Sequence, residues 1–282
     1  MQPASQADKA TLFRRLHDRT RILVLPNAWD VASARIFEEE GFAAIATTSA
    51  GVAASLGYPD GEQISRDEMV EAVGRIVHAV QVPVSADIEA GFGPDPQAVA
   101  ATVRAVIRAG AVGINLEDGI ENSKSPLRDV AGMTERIQAA REAGAASGVA
   151  IVINARTDVY LRGVGEEKDR FGHAIDRANA YRAAGADCLF VPGVRDAPTI
   201  AALVKAINGP INVLAAAGTP PIPELERLGV ARVSMGSGPM RAALTLTRRI
   251  AQELRGPGAF AAFTQDTITH AEVNQLLARK TV

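Results

Sequence analysis

Short apolar runs alternate with longer helical patterns along this chain, and glycine repeatedly stands between a helix end and the next apolar run. Examples are Glu40-Gly41-Phe42, Ala109-Gly110-Ala111, Ala184-Gly185-Ala186 and Leu228-Gly229-Val230. Glycine just past a helix end tolerates the left-handed conformation that stops the helix. Helix, glycine, apolar strand is the rhythm of βα units with buried parallel strands. Eight strand candidates are read this way, at residues 22–26, 43–48, 82–87, 112–116, 150–155, 188–192, 211–215 and 232–235. Helical patterns follow them at 31–40, 67–79, 96–109, 134–143, 173–184, 198–207, 223–228 and 239–254. Eight such units predict an α/β fold of the (β/α)₈ TIM-barrel type. An open doubly wound sheet is the alternative, but no Gly-x-Gly-x-x-Gly follows the first strand to favour it. A length of 282 residues is ordinary for one barrel.

The barrel is expected over residues 1–255. Gly256-Pro257-Gly258 then breaks the chain, and residues 256–282 read as a C-terminal helical arm with a last helix at 271–278 and Thr269 as its candidate cap. A minimal barrel has no place for this arm, so it is expected to cover the barrel or to pack on a partner subunit. Aromatics are only 4% of the chain against 47% apolar residues, so Ala, Val, Ile and Leu must fill the core. A net charge of −2 makes no case for nucleic acid or an anionic membrane as partner. The single cysteine, Cys188, excludes an intrachain disulfide and a cysteine-cluster metal site, and it fits a reducing compartment. No apolar run approaches the roughly 20 residues of a membrane span. Residues 1–8 lack the apolar core of a signal peptide, so a cytoplasmic location is expected.

Active-site groups of a barrel come from the carboxyl ends of its strands and the loops after them. Two acidic clusters occupy such positions: Asp87-Ile88-Glu89 after the third strand and Glu117-Asp118 after the fourth. Hard divalent cations prefer oxygen ligands, and Mg²⁺ usually takes one or two carboxylates plus water and substrate oxygens. The expected cofactor is Mg²⁺, with Mn²⁺ as the alternative ion. The other polar strand ends are Asn27, Trp29 and Asp30; Thr47, Thr48 and Ser49; Asp60; Asn154, Arg156 and Asp158; and Ser234, Ser237 and Gly238. Asn212, on the seventh strand, joins them as a candidate substrate contact. Plainer roles compete. Asp30 precedes an apolar-periodic run and reads equally as a helix N-cap. Asp60-Gly61 is an ordinary turn dipeptide, and Asp118 fits a turn. Arg156 suits either a structural ion pair or bidentate binding of a substrate carboxylate. His78 and His173 fall in helical patterns and read as solvated, and Cys188 as a small buried apolar group. Residues 162–170 read as a solvated loop without the lysine and spacing of a phosphate cradle.

Taken together, several segments resemble the isocitrate lyase / phosphoenolpyruvate mutase superfamily. They are Asn27-Ala28-Trp29-Asp30, Thr47-Thr48-Ser49, Leu56-Gly57-Tyr58-Pro59-Asp60, Ala86-Asp87-Ile88-Glu89-Ala90-Gly91-Phe92-Gly93, Leu116-Glu117-Asp118 and Asn154-Ala155-Arg156-Thr157-Asp158. The resemblance runs from the first strand to the eighth. It implies a (β/α)₈ barrel, Mg²⁺, 2-oxo acid or enolate chemistry, and a homotetramer in which the last helix swaps between subunits. By position it implies that Asp87 is the central metal carboxylate, with Glu89 reaching the metal through water and Glu117 completing the metal shell. It places Asp60 near the substrate as a catalytic group. Thr48, Ser49 and Ala50 fall where a substrate carboxylate is bound, and Arg156 where an arginine contacts the substrate oxygens. Trp29 belongs to the same implied substrate site.

The departures are as informative. Isocitrate and methylisocitrate lyases carry a Lys-(Lys/Arg)-Cys-Gly-His loop after the fourth strand. Here residues 119–128 contain neither Cys nor His. Asn122 and Lys124 are the residues left to stand in for the polar groups of the mutase and hydrolase loop. Pro192 stands where members often have His or Glu. The expected activity is therefore a Mg²⁺-dependent lyase or decarboxylase of a small 2-oxo or 2-hydroxy di- or tricarboxylate, acting through an enolate, with oxaloacetate as first candidate. The alternatives are a P–C bond enzyme acting on phosphonopyruvate or phosphoenolpyruvate, a non-catalytic 2-oxo acid binding protein, and a lyase of a larger branched malate.

Overall fold

The computed structural model describes residues 4–18, 20–121, 123 and 125–278. Its elements, in chain order, are α1 (Gln6–Arg15), β1 (Leu23–Leu25), β2 (Asn27–Ala28), α2 (Val31–Glu39), β3 (Ile45–Thr47), α3 (Ser49–Ser55), α4 (Arg66–Ala79), β4 (Val84–Asp87), α5 (Pro96–Arg108), β5 (Gly113–Glu117), α6 (Val130–Ala146), β6 (Val152–Arg156), α7 (Arg170–Ala183), β7 (Cys188–Phe190), α8 (Ala197–Ala206), β8 (Ile211–Leu214), α9 (Ile222–Arg227), β9 (Arg232–Ser234), α10 (Gly238–Arg255) and α11 (His270–Ala278). Short 3₁₀ turns lie at Glu167–Asp169 and Ala261–Phe263.

All pairings are parallel, in the order β1-β9-β8-β7-β6-β5-β4-β3-β2. The first stave pairs with the last, Leu23 opposite Arg232, and with the second, Asn27 opposite Ala46. That closure makes a TIM-type barrel and rules out the open sheet. The strand count is nine rather than the expected eight because Pro26 splits the first stave into β1 and β2. Proline has no N–H to give to a ladder. Gly41, Gly110, Gly185 and Gly229 have φ of 82°, 97°, 111° and 84°, as their place after helix ends predicts.

Two helices escape the sequence rhythm. One is α3, a short Ala-, Gly- and Ser-rich segment without an amphipathic period. The other is α1, which precedes the first strand and closes the amino end of the barrel. Gln6 Nε2 donates to Ile107 O at 2.8 Å and to Ala111 O at 3.0 Å. The Phe13 ring sits against Gly113, where an added Cβ would lie 2.5 Å from it. The mouth at the carboxyl ends of the strands is left as the functional face.

Asn27 stitches the seam of the barrel. Its Oδ1 accepts from Met235 N at 2.8 Å and Gly236 N at 2.9 Å, and its Nδ2 donates to Thr47 O at 2.9 Å. Beyond the barrel, α11 lies on α2 of its own chain, where Arg35 Nε donates to Leu276 O at 3.1 Å. Leu244, Leu246 and Leu254 of α10, together with Phe260 and Phe263, remain exposed. Among the described residues, no helix is long and apolar enough to cross a membrane.

Two stability predictions follow from these packings. Asn27→Ala strands two buried N–H groups and a carbonyl, each costing about 1–3 kcal/mol. Its urea midpoint should fall by the equivalent of about 3 kcal/mol with an unchanged slope. His17, beneath the barrel, has its imidazole pushed down to about 4 by burial and by the charge of Arg232. The unfolded chain therefore takes up the proton first. The stabilisation is full above the unfolded value near 6.5 and is lost as pH falls toward 4. Between pH 7 and pH 5 this should remove about 2 kcal/mol. Urea titrations of wild type and His17→Phe at both pH values check it; an equal pH dependence in the two proteins would contradict it.

Candidate active site

Asp87 ends β4 and is fixed by its neighbours on both sides. Its Oδ2 accepts from the Ser49 backbone N–H at 3.0 Å and the Ser49 hydroxyl at 2.8 Å, and its Oδ1 accepts from Asn115 Nδ2 at 2.9 Å. Its own N–H donates to Thr47 Oγ1 at 2.9 Å. Asn115 in turn accepts from Asn154 Nδ2 at 2.8 Å. Thr48 caps α3 through its side chain. One polar chain thus crosses from α3 through β4 and β5 to β6.

A second array lies beside the first. Arg156, at the end of β6, donates from Nε to Asp158 Oδ1 at 2.6 Å and from Nη2 to Asp158 Oδ2 at 3.0 Å, while its Nη1 sits 2.7 Å from Glu117 Oε2. Its guanidinium also lies over the Phe190 ring, 5.9 Å from the centroid. Burial opposes the charge on Arg156, but Glu117 and Asp158 outweigh it and hold the group protonated. For Glu117 burial, reinforced by Asp158, Asp87 and Glu89, raises the carboxyl further than Arg156 lowers it. The structural ion-pair role weighed for Arg156 is thus present in the structure, and the side chain also lines the cavity. Three of its five N–H groups are already taken.

Glu89 is buried, with φ of 49°, and its Oε2 accepts from Glu62 N at 2.6 Å. Glu62 has φ of 55° and accepts from Phe92 N, whose residue has φ of 57°. Three non-glycine residues in the left-handed region thus lock two loops together, a cost of the sort stored at functional sites. Burial, then Asp87 and Asp60, push the Glu89 carboxyl up to about 8. Asp60 keeps much of its surface open but lines the cavity, and partial desolvation and then Asp87 raise it as well.

These groups surround a cavity of about 270 Å³ at the mouth. Thr48, Ser49, Ala50, Asp60, Asp87, Asn115 and Arg156 form its polar wall, and Leu161, Phe190, Pro192 and Leu214 its apolar one. Of the residues expected here, Glu89 and Glu117 lie buried outside the lining, and Trp29 and Asn212 are placed elsewhere. Trp29 lines a separate, larger and mostly apolar groove with Leu56, Ile76 and Leu277. Asn212 is fully buried and donates to Ser234 Oγ at 3.0 Å, inside the wall. Asp30 is an N-cap, in a reciprocal box with Ser33. Asp118 accepts from Asp158 N at 2.9 Å, Tyr181 Oη at 2.7 Å and Arg177 Nη1 at 3.1 Å, a buried brace rather than an open turn. Nor is residues 162–170 wholly a solvated loop: Arg162 turns in to Asp158 at 3.0 Å and pairs with Glu121. Asn122 and Lys124 lie outside the described residues.

Sequence reasoning did not single out Asn115, Ser85 or Arg232, all of which line the cavity. The signal was strand alternation. Each stands two residues before a strand-end group already noted, Glu117, Asp87 and Ser234, and so shares its face.

The donor set suits a hard cation. Among the described residues, no three carboxylates, imidazoles or thiols converge into an all-protein metal site. Instead Asp87 lines the cavity, with Glu89 and Glu117 buried near it, and the carboxyls of Asp60, Glu89 and Glu117 are each raised in part by the charge of Asp87. A divalent cation would offset that repulsion, and hard ions of this kind complete their shells with water and other oxygens.

Fold and site thus define a barrel enzyme with a carboxylate-rich mouth. Residues 13–255 match the phosphoenolpyruvate phosphomutase family. The chain belongs to this family, within the isocitrate lyase / phosphoenolpyruvate mutase superfamily. It is 40% identical over 233 residues to an uncharacterized Mycobacterium tuberculosis protein, covering 82% of this chain and 84% of that one. It is 31% identical to an oxaloacetate decarboxylase of Pseudomonas paraeruginosa, covering 91% and 88%. It is 30% identical to the 2-methylisocitrate lyase of Escherichia coli, covering 84% and 80%. Among solved structures, a Burkholderia cenocepacia protein named only at the level of lyase/mutase superimposes with a TM-score of 0.91 at 41% identity, covering 97% of both chains. A phosphonopyruvate hydrolase complex with oxalate and Mg²⁺ superimposes with a TM-score of 0.84 at 26% identity, covering 96% and 95%. The chain is a carbon–carbon lyase of this superfamily.

Arg156→Met leaves Glu117 buried without its cation and Asp158 with Arg162 alone; breaking such a buried pair typically costs about 3–5 kcal/mol. Urea melts at pH 7 should show that loss, whereas a change below about 1 kcal/mol would mean the pair is solvated.

Proposed function

We propose that the chain is a metal-dependent lyase or decarboxylase of a small 2-oxo acid, with oxaloacetate as first candidate. The carrying observation is the composition of the cavity wall. It offers two carboxylates, of which Asp87 is anchored, and three arginines, Arg156, Arg232 and Arg241, but no thiol and no imidazole among its described residues. Decarboxylation of a β-oxo acid needs an electron sink more than a general acid. The oxaloacetate decarboxylase relative and the hydrolase structure with oxalate and Mg²⁺ support the same reading.

Asp87, Glu89 and Glu117 would hold Mg²⁺, which supplies Lewis acidity at the 2-oxo oxygen. The remaining N–H groups of Arg156 orient the substrate oxygens; since the Thr48 and Ser49 N–H groups are held by Ala28 O and Asp87, the Ala50 N–H at the start of α3 receives its near carboxylate. Phe190, Leu161 and Leu214 keep bulk water from the reacting carbon. When the bond to the departing CO₂ breaks, its electron pair stays on the neighbouring carbon. Asp60, whose raised carboxyl retains a proton more readily than a free one, returns a proton there. The product is pyruvate.

The test is pyruvate formation from oxaloacetate with and without Mg²⁺, set against the metal-only rate. Asp87→Asn should lower kcat/KM by about 10²-fold or more, since both oxygens act as a charged unit. No excess over the metal-only rate in the wild type sinks this form of the proposal. Phosphate release from phosphonopyruvate would favour the P–C reading instead, and tight oxalate binding without turnover of either substrate the binding-protein reading. The exposed apolar residues of α10 and the following turn support a homo-oligomer, with a tetramer expected. Light scattering after gel filtration checks it, and a single species of 29.5 kDa would count against it.

A further inference from the structure

Arg232 opens β9 and is 2% exposed, yet its side chain takes part in no hydrogen bond or ion pair among the described residues. Its Nε and Nη1 are buried without a partner. The other buried arginines have partners: Arg136 donates to Gly93 O and Asp95 O, and Arg35, with one nitrogen left over, to Glu38, Ala79 O and Leu276 O; half-buried Arg177 pairs with Asp118 and half-buried Arg156 with Glu117 and Asp158. A buried unpaired charge costs several kcal/mol, so a native structure that keeps one calls for an explanation.

Its position provides one. Arg232 lines the same cavity as Asp87 and Thr48, two residues before Ser234 on β9 and on the same inward face. The groups whose charge bears on it are Cys188 and Asp87. Asp87 already spends its oxygens on Ser49 and Asn115. Below, His17 is kept neutral by burial and supplies no counter-charge. Arg156, the half-buried cation of the wall, has its charge offset by two carboxylates. Arg241 also lines the cavity without an ion pair, but it is exposed near the start of α10; Arg232 is the buried positive group of the wall that no carboxylate contacts among the described residues.

We propose that Arg232 is the anchor for the second carboxylate of the dicarboxylate substrate. This rests on the reading of the mouth as a 2-oxo acid site. One carboxylate stays at the mouth and the other reaches the inner guanidinium, which binds such a group bidentately. A monocarboxylate leaves Arg232 unpaired and is rejected for that reason. Arg232 is thus a specificity-determining residue.

The experiment titrates wild type and Arg232→Gln, each with Mg²⁺, with oxalate, malonate, succinate and glutarate by calorimetry. Oxalate spans only the mouth and should bind both proteins within twofold. At least one longer dicarboxylate should bind the variant tenfold or more weakly, with Arg232→Lys recovering part of the loss. Equal binding of all four by both proteins, equal loss of all four in the variant, or no binding of any to the wild type overturns the proposal. If wild type fails to bind oxalate but a longer probe still separates it from the variant, the inner site stands and the 2-oxo acid reading falls. Arg232→Met supplies the second readout. Removal of an unpaired buried charge should leave Tm unchanged or raised, whereas a Tm lowered by several degrees assigns Arg232 a structural role and overturns the proposal.

Discussion

The hydrogen bonds that hold the Asp87 carboxylate organise the mouth of this barrel. Ser49 reaches it from the start of α3, Asn115 from β5, and Asn154 steadies Asn115 from β6. A carboxylate in a low-dielectric wall is tolerable only when its lone pairs are met. The donors come from a helix and a neighbouring stave, so the register of the parallel sheet and the orientation of the acid depend on one another. A slip of one residue in β5 would turn Asn115 outward and strand Asp87.

Around that centre the molecule accumulates charge that a purely structural barrel would avoid. Glu89 is bound to a backbone N–H of a strained loop, Glu117 shares Arg156 with Asp158, and Asp60 stands at the rim. Their mutual repulsion and burial raise several of these acids together. The same logic of opposite sign applies at the inner end, where Arg232 is buried and unpaired. In the proposed function both ends gain what they lack from a ligand, a cation at the mouth and an anion within. That is the usual exchange of stability for function at an active site.

Much of this was readable in the chain. The repeated helix–glycine–strand rhythm specified the barrel, and the strand ends drew attention to Asp87, Glu89, Glu117 and Arg156. Where reading failed, the reasons are physical. Pro26 split a strand whose apolar run looked continuous, because a missing N–H leaves no mark on hydropathy. The helix α3 lacked a periodic face, and α1 lay outside the repeat. Trp29 and Asn212 looked like site residues from their place near strand ends, but the first faces a separate groove and the second bonds Ser234 within the wall. Asn115 and Arg232 were overlooked because attention rested on strand termini rather than on the inward face one pleat below.

The sequence by itself determined the periodicities, and with them the parallel barrel and the end of it that carries acid. Local chemistry is enough for that, since strand burial, helix stops and caps act within a few residues. Only the tertiary structure decided which charges meet. Arg156 finds both Glu117 and Asp158, Glu89 finds Glu62, and Arg232 finds no partner. Pairing depends on distances of a few ångströms between residues far apart in the chain, and Coulombic and hydrogen-bond energies fall off over that length.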